Sequence, residues 1–305
     1  MIDQLIKNKK NGILLYGFTP PKMQNSREKN LEISLRRVKR LKQVNIDGLI
    51  IYDIQDETSR INNERPFPFL PTLEPLDYYL NYLKYDIPPI IYQCVGKYSM
   101  SEINNRLKSI KNCGVTLVGS PSQNEVVKTT LKEAYQNIEL NENILGGVLI
   151  PERHSVKGDE HLRIINKQKN GCQYFVSQCV YDAEKFKNMI SDYYYYCQAH
   201  EIEMVPIIMT ISPCGSIKTV DLLKWLGISI PKWIENDLDH SIDTLKTSIE
   251  LSKKIVEDVL TFCLSKKIPF GCNVESISIR KEEVLASFDL VNDIDEIFKK
   301  ADIRN

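Results

Sequence analysis

The sequence has no CxxC pair among its eight cysteines, no GxSxG elbow, no GxGxxG turn and only four histidines. It has no apolar run near the roughly 20 residues that a membrane span requires. Each absence removes a class of function. Without paired cysteines, neither a disulfide framework nor a zinc site is expected, and most of the cysteines sit in apolar runs where the thiol behaves as a small hydrophobe. The scattered histidines His154, His161, His200 and His240 suggest no metal cluster. The missing serine elbow argues against a hydrolase, and the missing glycine fingerprint against a Rossmann dinucleotide site. Charge of one sign is lacking too, since Lys+Arg and Asp+Glu both total 40. A phosphate-binding surface needs a basic excess, so nucleic acid is not expected as a partner, and the basic stretch Arg36, Arg37, Lys39, Arg40, Lys42 reads as the solvated side of a helix. The start, MIDQLIKNKKNG, lacks an apolar signal core, which makes a cytoplasmic protein the expectation.

What is present is a recurrence. Eight β-rich runs follow one another: GILLYGF from Gly12, DGLIIYD from Asp47, PPIIYQCV from Pro88, GVTLVGS from Gly114, LGGVLI from Leu145, CQYFVSQCVY from Cys172, EMVPIIMTI from Glu203 and IPFGCNV from Ile268. They are nearly continuous in apolar residues, as parallel strands covered on both faces are. Segments of helical spacing lie between them, such as Leu31, Leu35, Val38 and Leu41, and Leu245, Ile249, Ser252, Val256, Val259 and Cys263. Eight strand–helix repeats without a linker predict one α/β domain over residues 1–305, a single (β/α)8 barrel. Two stretches, 61–75 and 214–245, read as irregular insertions, candidates for lids or substrate walls.

In such a barrel the chemistry sits where strands end. The strand ends here supply Gly17, Asp53, Asp56, Glu57, Gln93, Gln123, His154, Gln178, Tyr181, Asn273 and Glu275. An amide-rich rim suits a heterocycle with several hydrogen-bonding edges, because Gln and Asn each present a donor and an acceptor. After the fifth strand, Arg163 and Lys167 are four apart, so a helix starting near Asp159 puts both on one face. With His154 on the preceding loop they could hold a diphosphate, the alternative being ordinary surface charge.

Gly-Phe-Thr-Pro-Pro-Lys at 17–22, Pro-Glu-Arg-His at 151–154, Gly-Cys-Gln-Tyr-Phe-Val-Ser-Gln at 171–178 with Tyr181-Asp182, and Ile230-Pro231-Lys232-Trp233 together resemble the methylenetetrahydrofolate reductase family in order and spacing. The resemblance covers most of the chain and is strongest from Gly146 to Trp233. It implies an FAD-containing barrel that passes a hydride from NAD(P)H through flavin to 5,10-methylenetetrahydrofolate, the flavin supplying the redox chemistry. It further implies a homo-oligomer, with His154, Glu160, Arg163 and Lys167 along the flavin ribose and phosphates and Gln178 on the folate or nicotinamide. Tyr181, Gln123, Gln93 and Asn273 complete the expected substrate surface.

Two positions depart from the family pattern. Gly17 stands where the family's first-strand glutamate acts as general acid, and Gln123 or a neighbour stands where the family has an aspartate. A glycine delivers no proton, so the acid must come from another rim carboxylate, Glu275 or Asp56 ahead of Asp53 and Glu57. The ending from Asn273 to Lys281 resembles a divergent, reductase-like subgroup. Three functions follow: a divergent reductase of methylenetetrahydrofolate or a related pterin, a folate-dependent one-carbon transferase, or a non-catalytic folate- or flavin-binding barrel.

Overall fold

The computed structural model describes residues 2–58, 63–120 and 126–305. Eight strands form in the eight apolar runs: β1 Ile13–Phe18, β2 Gly48–Ile51, β3 Pro89–Cys94, β4 Gly114–Val118, β5 Ile144–Leu149, β6 Tyr174–Cys179, β7 Ile207–Ile211 and β8 Phe270–Glu275. Each pairs in parallel with the next and β8 returns to β1, so the sheet closes into one barrel and the chain is a single (β/α)8 domain.

Side chains alternate along each strand. Ile13, Leu15, Ile50, Ile90, Ile144 and Ile208 point inward, and α1 (Ile2–Lys7) closes the N-terminal end with Ile2 and Ile6. The intervening residues face the helices in a larger cluster, which is why the runs read as continuously apolar. The interior volume is fixed by closure, and a large side chain there needs a gap beside it. Tyr174, fully buried, fills the centre: a Cβ added at Gly146 would meet the Tyr174 ring at 2.1 Å. The Tyr174 hydroxyl is 2.9 Å from Thr116 Oγ1, so the buried phenol is satisfied.

The first connecting helix, α2 (Arg27–Leu41), is capped by Ser26, whose side chain accepts from Lys29 N. Its packed face differs from the apolar spacing, since Leu35 is 72% exposed while Asn30 and Ser34 are buried. The cause is Tyr78, in the short helix α3 (Pro75–Tyr78): Ser34 Oγ and Arg37 both donate to its hydroxyl, at 2.9 Å each. Arg37, expected on a solvated face, lies over the Phe18 ring at 4.0 Å. Around the barrel follow α4 (Met100–Leu107), α5 (Leu131–Asn137), α6 (Pro151–Lys157), α7 (Glu160–Lys169) and α8 (Ala183–Ala199). The stretch 214–245 is more ordered than its sequence suggests, because it contains α9 (Ile217–Trp225) and α10 (Lys232–His240) before α11 (Thr244–Ser265). Helix α12 (Lys281–Lys300) ends the fold.

Two ties hold opposite ends of the barrel. At the bottom, Arg304 donates to Gly12 O and Asn45 O at 2.9 Å each, to Asp295 Oδ1 at 2.6 Å, and to Asp47. At the top, residues 63–73 form a strap. Met23 N donates to Pro71 O and Leu73 N to Pro21 O, while Trp225 Nε1 donates to Asn63 O at 2.9 Å. Residues 21–23 follow β1 and Trp225 follows β7, so the strap spans the C-terminal rim. None of the described helices is long and apolar enough to cross a membrane.

Gly146→Ala is expected to destabilise the protein by about 2 kcal/mol or more, because overpacking a filled core typically costs ~1–3 kcal/mol. Urea unfolding measures this, and an unchanged midpoint would show that Tyr174 does not fill the space beside Gly146.

Candidate functional site

The mouth at the strands' C-terminal ends is built by the last inward positions of five neighbouring strands. Asn273 of β8 donates from Nδ2 to the Tyr52 hydroxyl at 2.9 Å and to Thr210 Oγ1 at 3.2 Å, leaving its Oδ1 buried without a partner. Tyr52, just past β2, meets Tyr92 of β3 edge to face with centroids 4.8 Å apart. Above them is Glu275, the last residue of β8, paired in register with Gly17 of β1. Burial pushes the Glu275 carboxyl up from 4.5 to about 7, against a hydrogen bond with Tyr52 that pulls it down. The Tyr52 phenol is itself held well above its usual range, first by burial and then by the Glu275 charge.

This geometry explains the glycine in the first strand. A Cβ at Gly17 would lie 2.9 Å from the Tyr52 hydroxyl and 3.0 Å from Asn273 Nδ2. Side chains from both neighbouring strands fill the space, and the mouth's carboxyl comes from β8 at the same level. Tyr52 was missed by sequence reasoning, although counting alternate residues from Gly48 through Ile50 puts it on the inner face.

The other expected residues divide sharply. Asp56 is exposed and accepts from Thr58 N at 3.0 Å and Thr58 Oγ1 at 2.8 Å. Those bonds hold its carboxyl below the ordinary value, so it keeps no proton near neutrality. Asp53 is committed as well, accepting from Cys94 N at 2.8 Å and Lys97 Nζ at 2.5 Å. Gln93 shares the face of Ile91, two residues before it, and therefore points into the helix-facing layer, where both its amide atoms are buried and unpartnered. Tyr181 is fully buried in that layer and donates to Ser212 O at 2.5 Å. Gln178 does face the mouth, near the β-bulge between Val176 and Cys179, and its Nε2 donates to Leu226 O at 3.0 Å. Gln123 lies outside the described residues.

Glu152, the glutamate of the Pro-Glu-Arg-His motif, stands at the start of α6 on the mouth side. Its Oε1 accepts from Ser229 N at 3.1 Å while Oε2 is buried without a partner, and burial raises its carboxyl above the ordinary range. Lys185 Nζ donates to Ser229 Oγ at 2.5 Å, so the loop after α9 is fastened over the ends of β5 and β6. A cleft of about 290 Å³ opens beside the mouth under the strap, lined by Met23, Gln55, Phe69, Thr72, Lys97 and Tyr98 among others.

The residues expected to cradle a flavin diphosphate are not brought together there. His154 lies on α6 itself, not on a loop, and its Nε2 is 3.1 Å from Asp192 of α8. Arg163 is held by Asp159 on the outer face of α7 at 3.3 Å. Lys167 passes behind β5 to donate to Val148 O at 2.5 Å, beside Gly147 and the fully buried Glu160. Glu160 accepts from Ile150 N and pairs with Arg153 at 3.0 Å. Each cation already has its counter-charge or carbonyl, and the set does not fit a flavin diphosphate at the mouth.

A model of the methylenetetrahydrofolate reductase family matches residues 145–270. A solved structure, described as an uncharacterized protein from Clostridium thermocellum that binds two copies of 5-methyl-5,6,7,8-tetrahydrofolic acid, is 45% identical over 96% of this chain and 99% of its own, with a TM-score of 0.85. The chain belongs to the methylenetetrahydrofolate reductase family. The family match does not extend to the first strand, where Gly17 stands. The EDTA monooxygenase EmoA of Chelativorans sp. BNC1, at 10% identity over 97% of this chain and 95% of its own and a TM-score of 0.51, shares the fold alone. No curated protein matches the chain.

Because the Glu275 carboxyl is raised to about 7 from 4.5, the folded state holds this proton more tightly than the unfolded chain does. Its contribution to stability is complete below pH 4.5 and is lost as pH rises through 7. Relative to Glu275→Gln, the wild type should therefore lose stability across that window. Denaturant midpoints that stay parallel at every pH would show that Glu275 titrates normally.

Proposed function

We propose that this protein binds a reduced folate in the C-terminal mouth and that Glu275 is its acid. The observation that carries this reading is a carboxyl able to hold a proton near neutrality, in register with Gly17 and hydrogen-bonded to Tyr52. The pterin ring would lie against Tyr52 and Asn273, whose Oδ1 is free to accept from a ring N–H. The aminobenzoyl tail would leave through the cleft walled by Phe69 and Tyr98.

The reaction is reduction of 5,10-methylenetetrahydrofolate by NAD(P)H. Glu275 donates its proton to N10 as the N10–methylene bond breaks, leaving the methylene as an N5 iminium. The iminium carbon then takes the hydride and becomes the N5 methyl group, while NAD(P)⁺ leaves. Glu275 regains a proton from solvent through the partly open mouth. No step is routed through flavin, because the residues on α6 and α7 that would hold its diphosphate are already paired. The protein is soluble and cytoplasmic in this reading and needs neither nucleic acid nor membrane; a homo-oligomer is the family expectation.

A second reading is favoured by the Clostridium thermocellum relative, which binds 5-methyltetrahydrofolate in two copies: the barrel holds methylfolate, or passes its one-carbon unit to another acceptor, without oxidising NAD(P)H. Calorimetric titration with 5-methyltetrahydrofolate, followed by an NADH oxidation assay with 5,10-methylenetetrahydrofolate, separates the two. Glu275→Gln is expected to keep folate binding while NADH oxidation falls ~100-fold or more, the contribution of a positioned general acid. NADH oxidation without added flavin supports the reductase; binding without oxidation leaves the second reading. A wild type that binds no folate overturns both, and yellow protein with tightly held FAD overturns the flavin-free reading.

A further inference from the structure

Two of the four scattered histidines meet outside the barrel. Helix α6 ends at Gly158, whose left-handed conformation (φ 68°) turns the chain straight into α7. That turn folds His161 back on His154, and the two imidazoles stand edge to face with centroids 5.5 Å apart. Asp192, on α8, completes the group: its Oδ2 is 3.1 Å from His154 Nε2, and one donor atom from each of the three residues lies within 4.8 Å of the others.

We propose that His154, His161 and Asp192 form a binding site for one divalent transition-metal ion, zinc foremost, on the outer face of α6, α7 and α8. The donor set is of the right kind, since imidazole and carboxylate bind zinc at about 2.0–2.2 Å and tetrahedral ligands then stand roughly 3.3 Å apart. His154 and Asp192 already have that spacing, and a small rotation of the partly exposed His161 brings it in. The His154 side chain is only 9% exposed, whereas Asp192 is 56% exposed, so one edge of the site is open for entry and for a water to fill the fourth position. A simple His154–Asp192 ion pair explains less. It leaves out His161, whose donor atom lies within 4.8 Å of those of the other two.

The natural competitors for zinc are excluded: all eight cysteines are buried, and burial pushes each thiol up, away from the thiolate that binds metal. The site bears on the mouth through α6. Glu152 and His154 are two residues apart, about 200° around the helix, so an ion bound to His154 braces from behind the helix that presents Glu152 to the mouth.

The test is titration of tag-free, chelator-treated and desalted protein with cobalt(II), read by its visible absorption, then displacement by zinc and a thermal melt with and without zinc. One equivalent of cobalt and a zinc-dependent rise in Tm are expected. His161→Gln and Asp192→Asn lie at the accessible edge and are expected to fold normally by circular dichroism. Each should bind zinc at least ~10-fold more weakly, since even outer-shell changes weaken metal sites by about that factor. No cobalt absorption in the wild type, or wild-type affinity in both folded variants, overturns the proposal.

Discussion

A closed barrel gives its interior a fixed volume, and this chain fills that volume with tyrosines set over glycines. Tyr174 lies across Gly146 in the middle of the barrel, and Tyr52 lies across Gly17 at the mouth. The second pairing decides which strand carries the carboxyl at the mouth. Once the phenol occupies the space a first-strand side chain would use, a carboxyl at the same level must come from another strand, and β8 supplies Glu275. Tyr52 then does two things at once: its ring helps to exclude water from Glu275, which raises the carboxyl, and its hydroxyl bonds to the charged form, which limits the rise. The departure from the family pattern is thus a rearrangement of neighbours, with the glycine and the tyrosine forming one unit.

The rearrangement extends to the other side of the rim. Arg153, Arg163 and Lys167 are drawn outward and downward by Asp159, by the buried Glu160 and by the Val148 carbonyl. A buried carboxylate needs such partners, because leaving it unpaired costs several kcal/mol. The same cations are therefore unavailable as a phosphate cradle. In their place the mouth is bordered by Glu152, Gln178 and the fastened loop after α9, a neutral-to-acidic wall suited to amide and amine groups.

The barrel was legible in the sequence because its signal is spread over eight runs, each apolar on both faces for one reason. Individual side chains were harder to place. Gln93 and Tyr181 end strands as Asn273 and Glu275 do, and only the alternation along each strand, which a strand-end bulge or a one-residue boundary error inverts, separates the outer pair from the inner. Leu35 looked like a packed position because leucine usually is, yet Tyr78 offers a hydroxyl, and α2 turns Ser34 and Arg37 toward it. Arg163 and Lys167 do share a helix with the expected start at Asp159; what spacing alone left unseen was Glu160, the buried acid that claims their neighbourhood. Similarly, the seven-residue spacing of His154 and His161 gave no sign that a turn at Gly158 would fold one imidazole back on the other.

Arg304 gives the fold an order in time. It grips the carbonyls of Gly12 and Asn45, at the entrances of β1 and β2, together with Asp47 and Asp295. The seam of the ring, β8 against β1, joins residues more than 250 positions apart. During synthesis the early strands must therefore wait as an open sheet, with β1 at one edge, until β8 and the segment carrying Arg304 have emerged. Until then the β1 edge is unpaired, and an unpaired strand edge is open to pairing with another chain.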